Sequence, residues 1–513
     1  MAALLELMTM VRYYVDVPTF LVAACVCLLT FLYLQRPKNL PPGPWGWPLL
    51  GNIPTLAKCA FVPATFTEWS KQYGDVISVR IGLDVNIVVS GYKTIRNALV
   101  KRADEFSSRR IYHKVADLRG GEGIAPTSTK GVLFAAYGPE WKHQRKFTLM
   151  TLRDFGVGKR SLEGKIGEEA NMLVQEVGST NGQPFDFKEL LPNAISNVIC
   201  SIAFGNRFEY GDPEFVRLIG LMNAAVDAQP SRDVLPNIHP VFRHLPFGAP
   251  NHDKLVKFVL DMQAFCKEQI QKHRESFDPN DIRDFTDAFL LEQQQAQDEQ
   301  ARAHFTDKQL EELLFDLFVA GTETTSTTTR WAVLYMVLNP DIQEKVHREI
   351  DSILGQAPAS YDQRNSMPYT TATLAEVHRI NTIVPLTVPH AASKDTILNG
   401  YTIPADATLL FNLWSVHMDP QLFPEPDKFN PDRFLDQDGN FVKHEALIPF
   451  SIGHRVCLGE QLARMELFLL FVSLMQRFTF NLPEGAPLPS TVGEFGGIVN
   501  VPRPFDVRAI PRE

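Results

Sequence analysis

The chain is poor in cysteine. Six thiols in 513 residues, at positions 25, 27, 59, 200, 266 and 457, are too scattered for a disulfide scaffold and lack the paired spacing of a zinc site. No Asn-x-Ser/Thr acceptor occurs anywhere; both absences suit a reduced, cytosol-facing protein. Positive charge is lacking too. The 50 lysines and arginines are outnumbered by 59 acidic residues, for a net charge of −9, which excludes nucleic acid as the main partner. No internal repeat is visible and no flexible linker divides the chain. Length alone would allow about three domains, but nothing in the composition separates them.

Only one long hydrophobic run is present. From Val17 to Leu34 the chain is almost wholly apolar, about 18 residues, at the short end of a bilayer span. A cleaved leader would carry a basic start and a small-residue cleavage site; here Glu6 and Asp16 outnumber Arg12, and no such site follows Leu34. Residues 1–36 therefore read as a membrane anchor. Arg36 and Lys38 follow it, which places the remainder on the cytosolic side. Residues 37–52 are dense in proline (Pro37, Pro41, Pro42, Pro44, Pro48) and read as a rigid hinge. Residues 53–513 form the body.

The body is mainly α with a minor β part. Val76–Ile81 and Asn86–Ser90 read as a strand pair. Amphipathic helical stretches dominate from Trp141 to Gln476, and Glu292–Glu299 reads as a solvated connection. After it, Thr306-Asp307-Lys308-Gln309 fits a helix-capping pattern. The apolar period then runs to Leu338, and Pro340 stops it. That predicts about 32 residues, or ~48 Å of helix. Its middle, Ala320-Gly321-Thr322-Glu323-Thr324-Thr325-Ser326-Thr327-Thr328-Thr329, puts glycine and hydroxyls where leucine and alanine belong. Hydroxyls there bond back to carbonyls and bend helices, and a local rule broken in mid-element often marks a functional site. Gly321 leaves room for a ligand, Glu323 can feed protons, and the Thr324 hydroxyl can hydrogen-bond an oxygen substrate.

The most informative stretch is Phe450-Ser451-Ile452-Gly453-His454-Arg455-Val456-Cys457-Leu458-Gly459. A strong helix pattern, Glu460–Leu467, follows immediately. Cys457 thus lies at a helix N-terminus, where free N–H groups favour a thiolate. A thiolate held this way is a good axial ligand for haem iron and favours O–O cleavage. Gly453 and Gly459 would let the backbone approach a flat macrocycle, Phe450 would cover the sulfur, and Arg455 would reach a propionate.

This pattern resembles the haem-binding signature of cytochrome P-450 monooxygenases, and other segments extend the resemblance over residues 37–513. Ala320–Thr325 resembles the family's distal motif, with Glu323 where Asp also occurs. Glu376-Val377-His378-Arg379 and Pro431-Asp432-Arg433-Phe434 resemble the paired motifs that build a buried ion network of Glu376, Arg379 and Arg433. Trp141-Lys142-His143-Gln144-Arg145 resembles the family's Trp-x-x-x-Arg helix. Val384–His390 and Asn412–His417 look most like the animal microsomal family-two group and its fatty-acid-hydroxylating branch.

The resemblance implies a single P-450 fold carrying haem b on Cys457. Trp141, Arg145, His390 and Arg455 would hold the propionates, and Glu323 and Thr324 would manage protons. His454 should face solvent. Five segments would line a lipophilic pocket: 106–131, 208–230, 315–319, 383–386 and 496–499. The implied partners are an NADPH-cytochrome reductase, with Lys142, His143, Arg145 and Lys146 as part of its docking patch, cytochrome b5, and the endoplasmic reticulum membrane. The expected activity is NADPH- and O2-dependent hydroxylation of long-chain fatty acids, with xenobiotics or steroids as the alternative substrates. Two rivals are a haem-thiolate isomerase or dehydratase acting on peroxides and a non-catalytic haem or lipid carrier; the intact Glu323-Thr324 pair argues against both.

Overall fold

The computed structural model describes residues 39–512 except 83, 110–129, 159, 228–249 and 406, with four isolated positions before residue 39. The expected anchor, apart from those positions, most of the expected pocket segment 106–131 and the end of 208–230 lie outside the described residues. Among the described residues no helix is long and apolar enough to cross a membrane.

The architecture is mainly α, as expected. Among the described residues the helices of eleven residues or more are α1 (Val62–Tyr73), α2 (Pro139–Asp154), α3 (Arg160–Ser179), α4 (Leu191–Ala203), α5 (Pro213–Asp227), α6 (Pro250–Glu275), α7 (Phe285–Gln295), α8 (Asp307–Leu338), α9 (Pro340–Leu354), α10 (Pro368–Asn381) and α11 (Glu460–Arg477). The principal sheet has strands β1 (Val76–Ile81), β2 (Asp84–Val89), β3 (His390–Ala391) and β4 (Thr408–Phe411), in the order β1-β2-β4-β3. β1 and β2 pair antiparallel, β2 and β4 parallel, β4 and β3 antiparallel. The β1–β2 hairpin occupies the expected strand pair.

The long helix spans the expected residues. Thr306 caps it, its side chain accepting from the Gln309 N–H at 3.2 Å, and Pro340 begins the next helix. The hydroxyl run bonds backwards: Thr324 to Ala320 O (2.6 Å), Ser326 to Thr322 O (2.7 Å), Thr328 to Thr324 O (2.7 Å) and Thr329 to Thr325 O (2.9 Å). This satisfies hydroxyls that burial would otherwise strand. α8 packs on α4, α6, α10 and α11. α4 is buried almost throughout, and Trp331 of α8 is fully buried with its indole N–H on Asn500 O (2.9 Å). These helices form the main apolar core; a second core lies beneath the sheet.

One expectation needs revision. Glu292–Gln295 belong to α7, so the solvated connection shrinks to the residues around Ala296–Asp298 before a short helix, Glu299–His304. The glutamines are good helix formers and simply extend the apolar period of Phe285–Leu291. The proline-rich segment is laid along the sheet: Ser78 N donates to Pro42 O (2.9 Å), Ser78 Oγ to Pro41 O (2.7 Å), and Arg80 N to Asn52 Oδ1 (2.8 Å). It is strapped to β1 from residue 41 onward.

Candidate active site

The Cys457 loop is closed by its own backbone. The Cys457 N–H donates to Phe450 O (2.9 Å) and Val456 N to Gly453 O (3.1 Å). Gly459 caps α11, as the sequence implies. Cys457 is exposed by area, yet it lies deep enough that burial raises its thiol; the Gly459 N–H and the Arg145 and Arg464 charges oppose that rise, and Glu460 adds to it. Large exposed area at depth describes a side chain that faces an interior space.

Gly453 does a different job from the one expected. Its φ is +81°, and a Cβ would lie 1.8 Å from Leu99 O, so its close contact is with backbone. Gly459, in contrast, has nothing within 4 Å of its Cβ direction. Gly453→Ala is expected to cost about 1–3 kcal/mol from the left-handed backbone alone, with the clash adding to it. Chemical denaturation of the holoprotein measures this. An undiminished midpoint would contradict it.

The middle of α8 shows a matching face. Leu317, Ala320, Gly321 and Thr324 retain exposure, while Asp316, Phe318, Thr322 and Thr325 are buried. The spacing of three, four and seven residues puts the exposed set on one stripe. This corrects the expected lining: Phe315 packs on Phe258 (5.6 Å) and Phe318 stacks on Phe204 (5.4 Å), so both belong to the core. Gly321 also differs from expectation, since a Cβ there would meet Ile199 Cδ1 at 2.8 Å. Glu323 lies beside the stripe, and burial holds its carboxyl above the usual range against the pull of the Thr327 hydroxyl (2.9 Å), Arg330 and Lys188.

A cluster of guanidinium groups, Arg109 and Arg455 buried and Arg145 partly so, stands at one end of the site. Asp316 of α8 accepts from Val132 N (2.8 Å) and Leu133 N (2.9 Å) and so fixes the loop that precedes α2. Carbonyls of that loop then hold three side chains. Trp141 Nε1 donates to Val132 O (3.0 Å), Arg455 donates to Val132 O (3.1 Å) and Ala135 O (2.6 Å), and Arg109 donates to Leu133 O (3.1 Å). Arg109 also reaches Val388 O (2.6 Å), beside β3. The Trp141 ring lies between Arg455 (4.0 Å) and Arg145 (5.5 Å), and Arg145 donates to Val456 O (2.5 Å). His390, on β3, bonds Phe106 O through Nδ1 (2.7 Å); a carbonyl only accepts, so Nδ1 carries the proton. Burial, Arg109 and Arg455 together hold His390 neutral.

Among the described residues, none of Arg109, Arg145 and Arg455 pairs with a carboxylate. Burial and mutual repulsion push Arg109 down to about 9 and Arg455 to about 8. Two buried cations, with a third partly buried beside them and no carboxylate partner among the described residues, are costly. A group bearing two carboxylates, as haem does, removes that cost; with the deep thiol and the open stripe on α8, the residues fit haem.

Arg109 was missed by the sequence reading, which treated its segment only as pocket lining. No motif marks it, and only a charge inside an otherwise lining segment could have drawn notice. Glu466 of α11 was also missed. It accepts from the Thr325 hydroxyl (3.2 Å), and burial pushes it up to about 8. His454 faces solvent, stacking on Tyr137 at 5.3 Å. His143 stacks on His304 (4.6 Å), away from the shallow depression that Lys142, Arg145, Lys146, Leu149, Met150 and His454 line.

The expected ion network is present. Arg379 binds Glu376 through two hydrogen bonds (2.7 and 2.8 Å), and Arg433 donates to the same carboxylate (3.1 Å). Glu376 and Arg379 are fully buried.

A cytochrome P-450 family profile matches residues 41–509. The chain belongs to the cytochrome P-450 family. It is 40% identical to Homo sapiens cytochrome P-450 2U1 over 95% of this chain and 92% of that protein. It is 43% identical to Homo sapiens cytochrome P-450 2J2 over 89% of each, and 41% identical to Homo sapiens cytochrome P-450 2D6 over 97% of this chain and 99% of that protein. P-450 proteins carry haem on a cysteine thiolate, and this chain is a P-450 monooxygenase of the animal family-two type.

Proposed function

We propose that this P-450 hydroxylates lipophilic substrates, long-chain fatty acids first among them, with electrons from an NADPH-dependent reductase. The observation that carries the catalytic part is the exposed stripe Leu317-Ala320-Gly321-Thr324 with Glu323 beside it. Cys457 would ligate the haem iron, and Arg109, Arg145, Arg455, Trp141 and His390 would receive its propionate end. Phe450 would shield the sulfur. Bound haem supplies the activation of dioxygen.

The protein's own residues then handle protons and water. Glu323 keeps its proton to higher pH than an exposed carboxyl because it is buried. Thr324 engages its hydrogen on Ala320 O, which leaves its oxygen free to accept. A proton held at Glu323 is therefore available one residue from an oxygen acceptor. The apolar part of the stripe favours a lipophilic substrate.

The fatty-acid assignment is supported by the resemblance of Val384–His390 and Asn412–His417 to the fatty-acid-hydroxylating branch. Reductase docking is supported by the depression that combines Lys142, Arg145 and Lys146 with the exposed Leu149 and Met150; cytochrome b5 is proposed for the same face. Residues 17–34 would anchor residues 53–513 to the cytosolic face of the endoplasmic reticulum.

The test is reconstitution with reductase, NADPH and O2 against long-chain fatty acids, steroids and drug-like aromatics, with mass analysis. A product one oxygen atom heavier is expected from at least one fatty acid. Turnover of the aromatics alone would overturn the substrate assignment. Turnover of a peroxide without NADPH and O2 would favour an isomerase or dehydratase instead.

A further inference from the structure

The charged groups that bear on the Cys457 thiol among the described residues are Arg145, Glu460 and Arg464. Arg145 belongs to the guanidinium cluster already described. His378 also packs against this loop, its ring 5.3 Å from that of Phe450, but burial and Arg464 push it down to about 3, so it is uncharged at working pH. Glu460 and Arg464 have no role in the site so far.

The two form an i,i+4 ion pair on the first turns of α11, with Arg464 Nε 2.9 Å from Glu460 Oε1 and each side chain about a third exposed. An exposed helical pair of this kind is ordinarily worth little. This one is placed differently. The Arg464 guanidinium carbon lies 4.7 Å from the centroid of the Phe450 ring. Phe450 is the residue whose carbonyl accepts the Cys457 N–H. The guanidinium therefore sits over the ring of the residue that closes the thiol loop, an apolar contact that screens its charge less than water would.

We propose that the Glu460–Arg464 pair sets the electron density at the Cys457 sulfur and thereby the reduction potential of the haem it holds. This rests on the reading of Cys457 as the haem ligand. A positive charge near the sulfur withdraws density and favours the added electron; a negative charge does the reverse. The two charges partly cancel, so neutralising either one unmasks the other.

The test is the midpoint potential of the holoprotein by spectroelectrochemistry, with the carbon monoxide spectrum of each reduced variant taken alongside. Arg464→Gln is expected to shift the potential negative and Glu460→Gln to shift it positive. The double variant is expected to lie near the parent. Arg464→Lys keeps the charge and is expected to stay near the parent as well. A merely structural role for the pair predicts single variants that move the same way and a double variant that moves with them; that result overturns the proposal, as does a pair of singles that do not move. If Arg464→Gln fails to retain haem, Glu460→Gln and Arg464→Lys still decide the matter, the first expected to shift positive and the second to stay near the parent. A parent spectrum without the thiolate-type band would defeat the ligand assignment itself. A normal band with unmoved potentials would defeat the pair alone.

Discussion

Glu376→Ala is expected to yield little or no folded, haem-loaded protein. Glu376 sits at the centre of the network with Arg379 and Arg433, and all three side chains are at least nine-tenths buried. Its Oε1 also accepts the Asn430 N–H (2.9 Å), so it anchors the turn leading to Pro431–Phe434. Arg379 spends its remaining donors on His417 O and Pro426 O (both 2.8 Å), which ties α10 to the segments that precede the Cys457 loop. Removing the carboxylate leaves one fully buried and one largely buried guanidinium group without that anion. Breaking a buried pair in this way costs about 3–5 kcal/mol, and natural domains carry only about 5–15 kcal/mol in total. Haem content per purified protein and the thermal transition measure the effect. Near-normal haem retention by Glu376→Ala would show that the network is dispensable.

Glu323→Gln is expected to lower product formation by about two to four orders of magnitude while leaving substrate binding largely intact. The substitution preserves size and the ability to accept from Thr327, but removes the ionisable proton. Positioned acids contribute about 10²–10⁴-fold to rate, and burial keeps Glu323 in the protonated form to higher pH than an ordinary carboxyl. Because the effect falls on proton transfer, substrate-induced spectral changes should survive when turnover is lost. The measurement is turnover under saturating reductase together with substrate titration. Undiminished turnover would remove Glu323 from the mechanism.

Much of this was legible because some residues announce themselves by breaking local rules. Hydroxyls in the middle of α8 contradict helix propensity, and the structure shows how they are accommodated: Thr324, Ser326, Thr328 and Thr329 bond the carbonyl four residues back, while Thr325 and Thr327 bond carboxylates. Thr306 and Pro340 gave the ends of that helix because caps and stops are local. The Glu376 network was visible only through resemblance; its two halves are far apart in sequence, and no local pattern says that an i,i+3 pair is buried.

Other features were illegible for physical reasons. Gly453 reads like a glycine that makes room for a ligand, but its contact is with Leu99 O, a partner that sequence spacing does not reveal. Phe315 and Phe318 look like pocket lining because apolar residues of core and pocket are chemically alike; only their rotation about α8 separates them from Leu317 and Ala320. Arg109 is an arginine without a motif, and its importance comes from meeting Arg145, Arg455 and His390 in space. Glu466 reads as part of a helix pattern, and nothing in that pattern says that it is buried against Thr325.

The central claim is that the sulfur of Cys457 binds the haem iron, and the absorption spectrum of the dithionite-reduced holoprotein under carbon monoxide tests it most directly. The account predicts the thiolate-type band in the parent protein and its loss in Cys457→Ala. An imidazole-type spectrum in the parent, or a thiolate-type band that persists in Cys457→Ala, would contradict it.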